Sequence, residues 1–144
     1  MTWDGLPVAR EPPYACCVVV WRGVRGGRQF LILHRLAPGG AGYEGDWAWT
    51  PPSGARQPGE EPAAAAAREL VEETGLVLPL TPLGEGPAGE DLVLFGAEAP
   101  RDARVVLDAE HDRYLWLSFE EAVALCSPPV VAASLAAAAA LLDG

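Results

Sequence analysis

Three glutamates, Glu69, Glu72 and Glu73, crowd together in the run Arg68-Glu69-Leu70-Val71-Glu72-Glu73-Thr74-Gly75. On a helix advancing about 100° per residue, acids at i, i+3 and i+4 share one face. There they repel one another, and those in the last turn oppose the helix dipole. Each penalty is roughly a few tenths of a kcal/mol and all have the same sign, so helix stability does not explain the choice of residues. Oxygen donors gathered on a rigid element suit a hard divalent cation such as Mg²⁺. Arg68, one turn before Glu72, is placed to orient the acids by ion pairing. On helix geometry alone, a merely solvated acidic face stands beside this reading.

The element that must position these acids is a helix over residues 60–74. Pro62 suits its first turn, Ala63 and its neighbours are the strongest helix formers, and Gly75 is placed as the left-handed residue after the last turn. Ala63, Ala64, Ala67, Leu70 and Val71 fall on the opposite face, which is expected to pack on the rest of the domain. Upstream, residues 14–21 read as a buried strand and 22–28 as a turn, with 29–36 as the second strand of a hairpin. A Gly-rich loop (37–46) and a short strand (47–50) follow. Downstream, 76–80 and 91–97 read as strands around a Pro/Gly-rich turn (81–89), with a loop at 98–103 and a weaker strand at 104–107. Ser118-Phe119-Glu120-Glu121 is a capping box opening a helix through Cys126. An Ala-rich last helix (130–142) is either well buried or a homodimer contact. Residues 1–13 read as an irregular lead-in from which Trp3 could pack on the domain, and 14–144 as one domain.

Composition narrows the function. Half of the 144 residues are hydrophobic and the net charge is -10, which argues against disorder, a nucleic-acid polymer and an anionic membrane as partner. All ten basic residues are Arg, so any basic phosphate contact is made by a planar guanidinium fork. An acidic protein handling polyphosphates needs counter-charge, which a bound divalent cation supplies. Cys16, Cys17 and Cys126 show no ligand spacing, and an odd number suits a reducing compartment. With no signal-peptide pattern and no long apolar span, a soluble cytoplasmic protein is expected.

Gly54, Glu60, Arg68, Glu69, Leu70, Glu72, Glu73, Gly75 and Leu76 fall without a gap on the fixed positions of the Nudix hydrolase signature. The chain thus resembles that MutT-like family, and the run from Trp49 through Pro52 to Gly54 is similar to the family's lead-in. Ser53 stands where diadenosine tetraphosphate hydrolases carry Lys. Glu110-His111-Asp112-Arg113-Tyr114-Leu115-Trp116 looks like the segment before the final helix in diadenosine polyphosphate and dihydroneopterin triphosphate hydrolases. The resemblance implies an α/β/α sandwich with a mixed sheet between helices. It also implies Mg²⁺-dependent (or Mn²⁺-dependent) hydrolysis of a small di- or polyphosphate: a dinucleoside polyphosphate, a nucleoside triphosphate, or dihydroneopterin triphosphate. A catalytically silent binding or regulatory module is the other class the fold allows. By the same resemblance Glu69, Glu72, Glu73 and Glu110 are metal ligands or catalytic acids, and the carbonyl of Ser53 or Gly54 is a further ligand. Arg68 is the partner of the acids. Arg35, Ser53 and Tyr114 are the substrate contacts. Apart from the resemblance, Trp47 and Trp49 stand near the proposed site, which invites a base-stacking reading beside the ordinary one of core residues. Of the two, Trp49 is the expected substrate contact.

Overall fold

The computed structural model describes residues 7–143. Residues 1–6, and with them Trp3 and half of the lead-in, lie outside the described residues. In chain order the elements are β1 (Ala15–Val24), β2 (Gly27–Arg35), β3 (Trp49–Thr50), β4 (Ser53–Ala55), α1 (Pro62–Thr74), β5 (Thr81–Gly86), β6 (Gly89–Glu98), β7 (His111–Leu117), α2 (Phe119–Leu125) and α3 (Pro129–Asp143).

Strand alternation builds the layers. Cys16, Val18 and Val20 of β1 point to one side of the sheet and pack with Leu31, Leu33, Phe95, Ala66 and Leu70, so that side is covered by α1. Cys17 and Val19 point to the other side, where they meet Phe30, Ile32, Leu94 and the helix residues Ala122, Leu135 and Ala138. The sheet runs β3-β2-β1-β6-β5, with β4 on β1 and β7 on β2. β1 and β6 are parallel and the other pairs antiparallel. This is the expected α/β/α sandwich around a mixed sheet. Burial pushes the Cys16 thiol up to about 11 and those of Cys17 and Cys126 up to about 12, so all three are neutral packing residues. One face of α3 is buried through Val131, Ser134, Leu135, Ala138 and Ala139. Among the described residues no helix is long and apolar enough to cross a membrane.

Several expected elements differ. The 22–28 turn shrinks to residues 25–26 because the hairpin strands run on, with Arg22 facing Gln29. Residues 76–80 form no ladder. They bury Leu76, pack Leu78 and Leu80 on the α1-side cluster and leave Val77 84% exposed. That is the side-chain period of a strand without its hydrogen bonds. The expected turn over 81–89 is mostly β5, an edge strand that accommodates Pro82 and Gly84 through two register shifts against β6. Residues 104–107 are also irregular; Val105 and Leu107 pack on the α1 side, and the Val106 N–H donates to the Thr74 carbonyl at 2.8 Å.

The helix ends follow the sequence closely. Pro62 occupies the first turn of α1, and Gly75 has φ 72° with its N–H on the Val71 carbonyl. Ser118 and Glu121 complete both halves of the capping box on α2. The buried face of α1 does not follow. Ala65, Ala66, Leu70, Glu73 and Thr74 are buried, whereas Ala63, Ala64, Ala67 and Val71 are exposed. Glu73, on the acidic face, is buried instead, so a merely solvated acidic face does not describe it.

Replacing Gly75 by Ala puts a Cβ into ordinary contact with Val106, 3.4 Å away, so the cost is that of a left-handed backbone. A loss of about 1 kcal/mol is expected, read as a lower urea midpoint at unchanged slope.

Candidate functional site

β4 is held by β1 along one edge only. The Val18 N–H donates to Pro52 at 2.8 Å and the Arg56 N–H to Tyr14 at 2.9 Å. Gly54, opposite Cys16, therefore also directs its backbone groups toward β1. Those of Ser53 and Ala55 face away, toward α1. Accordingly, the Ser53 N–H donates to Glu73 Oε1 at 3.1 Å, and the Ala55 carbonyl accepts from Arg68 Nη2 at 3.0 Å. Of the two expected backbone ligands, the Ser53 carbonyl lies on the acids' side and the Gly54 carbonyl does not. Gly54 supplies room instead: a Cβ there would overlap the Glu69 carboxylate.

Arg68 binds the acids into one frame. Its Nε and Nη2 donate to the two Glu60 oxygens at 2.8 and 3.0 Å, and its Nη1 donates to Glu69 Oε1 at 2.9 Å. Glu72, half exposed, pairs with the same Nη1 at 3.3 Å. Glu60 also accepts the Gln57 N–H, so it locks Arg68 and the loop rather than capping α1. The hydrogen bond from Arg68 holds the Glu60 carboxyl below the usual range.

Glu73 is 4% exposed. Burial pushes its carboxyl well above the ordinary value and the neighbouring Glu69 adds to the rise, while Arg35 and the Ser53 N–H oppose it. Burial raises Glu69 as well, against the pull of Arg68. Among the described residues no three acidic, His or Cys side chains already converge into a metal cage. The built feature is a pair of adjoining, mutually repelling carboxylates, Glu73 buried and Glu69 half-buried.

This pair opens on a cavity of about 850 Å³ whose lining includes Arg35, Ser53, Glu69, Glu72, Glu73 and Glu110. Arg35 Nη2 donates to Ser53 Oγ at 3.2 Å. Glu110 is exposed at the start of β7, where its carbonyl accepts the Leu36 N–H. Next to it, the His111 ring is buried with Nδ1 2.7 Å from Asp108. Two expected substrate contacts are elsewhere. Trp49 is 5% exposed, packed edge-on against His34 and hydrogen-bonded to Glu44; its ring belongs to the core. Tyr114 is exposed on β7 but does not line the cavity. Of the two tryptophans that invite a stacking reading, Trp47 does line it.

His34 is fully buried, with Nδ1 2.6 Å from Asp112 and Nε2 2.7 Å from the Tyr43 carbonyl. Arg113 joins Asp112, Glu44 and the Ala41 carbonyl. This network fastens the loop over 37–48 to the sheet, and the loop forms one wall of the cavity.

A family model described as NUDIX domain matches residues 11–137. Among curated proteins, an octanoyltransferase of Myxococcus xanthus is 37% identical over 131 residues, covering 84% of this chain and 35% of that protein. An RNA pyrophosphohydrolase of Rhizobium meliloti is 44% identical over 71 residues, covering 47% of this chain and 41% of that protein. The chain thus spans less than half the length of either relative. A solved structure of a C. elegans Ap4A hydrolase binary complex superimposes with a TM-score of 0.72 at 26% identity, covering 90% of this chain and 97% of that one.

The raised carboxylates have a measurable consequence. Glu73 titrates above the unfolded value of about 4.3, so its contribution to stability is whole below that value and is lost as pH rises through the raised one. Glu60, which is lowered, has the opposite sign and loses its contribution only below about pH 4. In chelator, the urea midpoint should fall as pH rises above about 4.3 in the wild type and fall less in Glu73→Gln. An unchanged slope would assign the titration to other groups.

Proposed function

The chain belongs to the Nudix family, and from that premise we propose that it is a divalent-cation-dependent hydrolase of a pyrophosphate bond in a small, phosphate-rich substrate. The observation that carries this reading is the pair of buried Glu73 and half-buried Glu69 beside the Ser53 backbone. Two carboxylates held together out of water cost stability, and a cation offsets that cost. Mg²⁺ binds through one or two protein carboxylates, substrate phosphates and waters, so a pair without a full cage fits it; Mn²⁺ suits the same oxygens. Glu69 and Glu73 would hold the ion with the Ser53 carbonyl beside them. Bound there, it would neutralise phosphate oxygens and lower the pKa of the attacking water.

The protein's own groups do the rest. Arg68 fixes Glu69 by a hydrogen bond from Nη1, while Nε of the same guanidinium engages Glu60. Arg35, steadied by Ser53, presents a guanidinium to the phosphate chain. Glu72 and Glu110 bring two more carboxylates to the same cavity, and one of the four acids takes the water's proton. Dinucleoside polyphosphates and nucleoside triphosphates are the favoured substrates, in keeping with the likeness to the C. elegans structure. The net charge of -10 weighs against a nucleic-acid polymer. The intact acid pair weighs against a silent binding module.

Phosphate or pyrophosphate release should be measured across dinucleoside polyphosphates, nucleoside triphosphates, nucleotide sugars and dihydroneopterin triphosphate, with Mg²⁺ and with chelator. Turnover of one class should vanish in chelator. Glu73→Gln should lower kcat by on the order of 100-fold or more, since even partners behind metal ligands cost roughly 10–100-fold. A folded Glu73→Gln protein with full turnover would refute the metal assignment.

A further inference from the structure

Arg56 is 7% exposed, and among the described residues its guanidinium bonds only backbone carbonyls. Nε donates to Pro13 at 2.7 Å, Nη2 to Glu11 at 2.7 Å and Nη1 to Glu60 at 2.6 Å. The Arg56 backbone N–H donates to the Tyr14 carbonyl at 2.9 Å, and its carbonyl accepts the Ala9 N–H at 2.8 Å. Burying a charge against neutral acceptors alone is a poor way to gain stability. What the planar fork supplies is geometry, since it fixes carbonyls of two separate segments at once.

One segment is the lead-in. Residues 9–14 form no strand or helix, yet Ala9 is buried, and Pro7 and Tyr14 line the cavity that holds the acids. The other is Glu60, which stands before α1, because the Ala65 N–H already takes the Glu61 carbonyl. The Glu60 carbonyl is thus held by Arg56 rather than by the helix. Its side chain accepts Nε and Nη2 of Arg68, whose Nη1 fixes Glu69. Lead-in, Arg56, Glu60, Arg68 and Glu69 are therefore linked in one series of hydrogen bonds.

We infer that Arg56 is a positioning residue for Glu69: it makes the lead-in part of the frame that holds Glu60, and acts through Glu60 and Arg68 on the Glu69 carboxylate. Arg56 itself does not line the cavity. Losing its fork is therefore felt as a change in how Glu69 is held, not as a lost contact with substrate. The inference rests on the pyrophosphatase reading only for its consequence in turnover; the frame stands apart from that reading.

The test reads the frame in the full chain, in chelator and without turnover. Solvent exchange of the Arg68 Nε–H, followed by heteronuclear NMR, is compared with that of the Arg22 Nε–H. The latter is bonded to Gln29 in the hairpin at the far end of β1. Arg56→Met should speed exchange at Arg68 by about ten-fold or more and leave Arg22 within about two-fold. Arg56→Lys, the milder change for folding, keeps the charge without the fork and should give the same pattern at smaller size. Trypsin cleavage after Arg10, which is exposed in the lead-in, should quicken by about ten-fold in Arg56→Met. With any substrate the chain hydrolyses, the Mg²⁺ concentration for half-maximal rate should rise about ten-fold in Arg56→Met at a substrate KM within about two-fold. A merely structural role lowers the active fraction and moves neither quantity. Exchange at Arg68 and Arg22 rising together, wild-type exchange in both variants, unchanged cleavage after Arg10, or an unchanged Mg²⁺ requirement in an active enzyme each overturns the inference. Faster exchange at Arg68 alone, in a protein that hydrolyses nothing, leaves the place of Arg56 in the frame standing and removes the pyrophosphatase reading.

Discussion

Two carboxylates that should avoid each other are held together: Glu73 lies buried beside Glu69, with the Ser53 N–H and the Arg35 charge as its compensation. Much of the local structure follows from holding that pair. Position 54 has no space for a side chain because Glu69 occupies it. Arg68 spends three nitrogens fixing Glu69, Glu60 and the β4 backbone at once. α1 is anchored at its end by the Val106 N–H on Thr74 and by the left-handed Gly75, so Glu73 in the last turn cannot swing into water. The acid pair is a local cost imposed on a stable frame, as expected at a site that serves something other than folding.

Sequence reasoning served best where one residue type has one backbone use. Pro62, Gly75 and the Ser118/Glu121 box set helix ends as expected, because caps depend on neighbours in the chain. The alternation of β1 between two packing faces was equally legible. What failed depended on the third dimension. The face of α1 carrying Ala63, Ala64, Ala67 and Val71 was expected to pack, but Glu73 is buried instead, where the Ser53 N–H of β4 donates to it, and no helical periodicity reports a strand edge distant in the chain. Residues 76–80 bury alternate side chains without finding a ladder, and β5 finds one despite Pro82 and Gly84.

The tryptophans show the same limit within the candidate site. Trp47 and Trp49 are separated by one residue and are compositionally equivalent as ring-stacking candidates. The register of β3 on β2 places Trp49 opposite His34, where it becomes the buried part of a polar network with the more exposed Glu44 and Arg113. Trp47 falls before the strand begins, on the turn. Its availability is decided by where pairing starts, which sequence patterns fix only to within a few residues.

β5 closes one end of the sheet, and its composition bears on how copies of the chain can meet. Pro82 removes a donor from that edge, and two register shifts bend it away from the straight geometry that a further strand requires. An added strand would face an interrupted row of donors and acceptors, so extending the sheet from one molecule into the next is disfavoured on this side. The irregularity that hid β5 from the sequence pattern therefore protects this edge from edge-to-edge polymerisation, and leaves contact between copies to other surfaces.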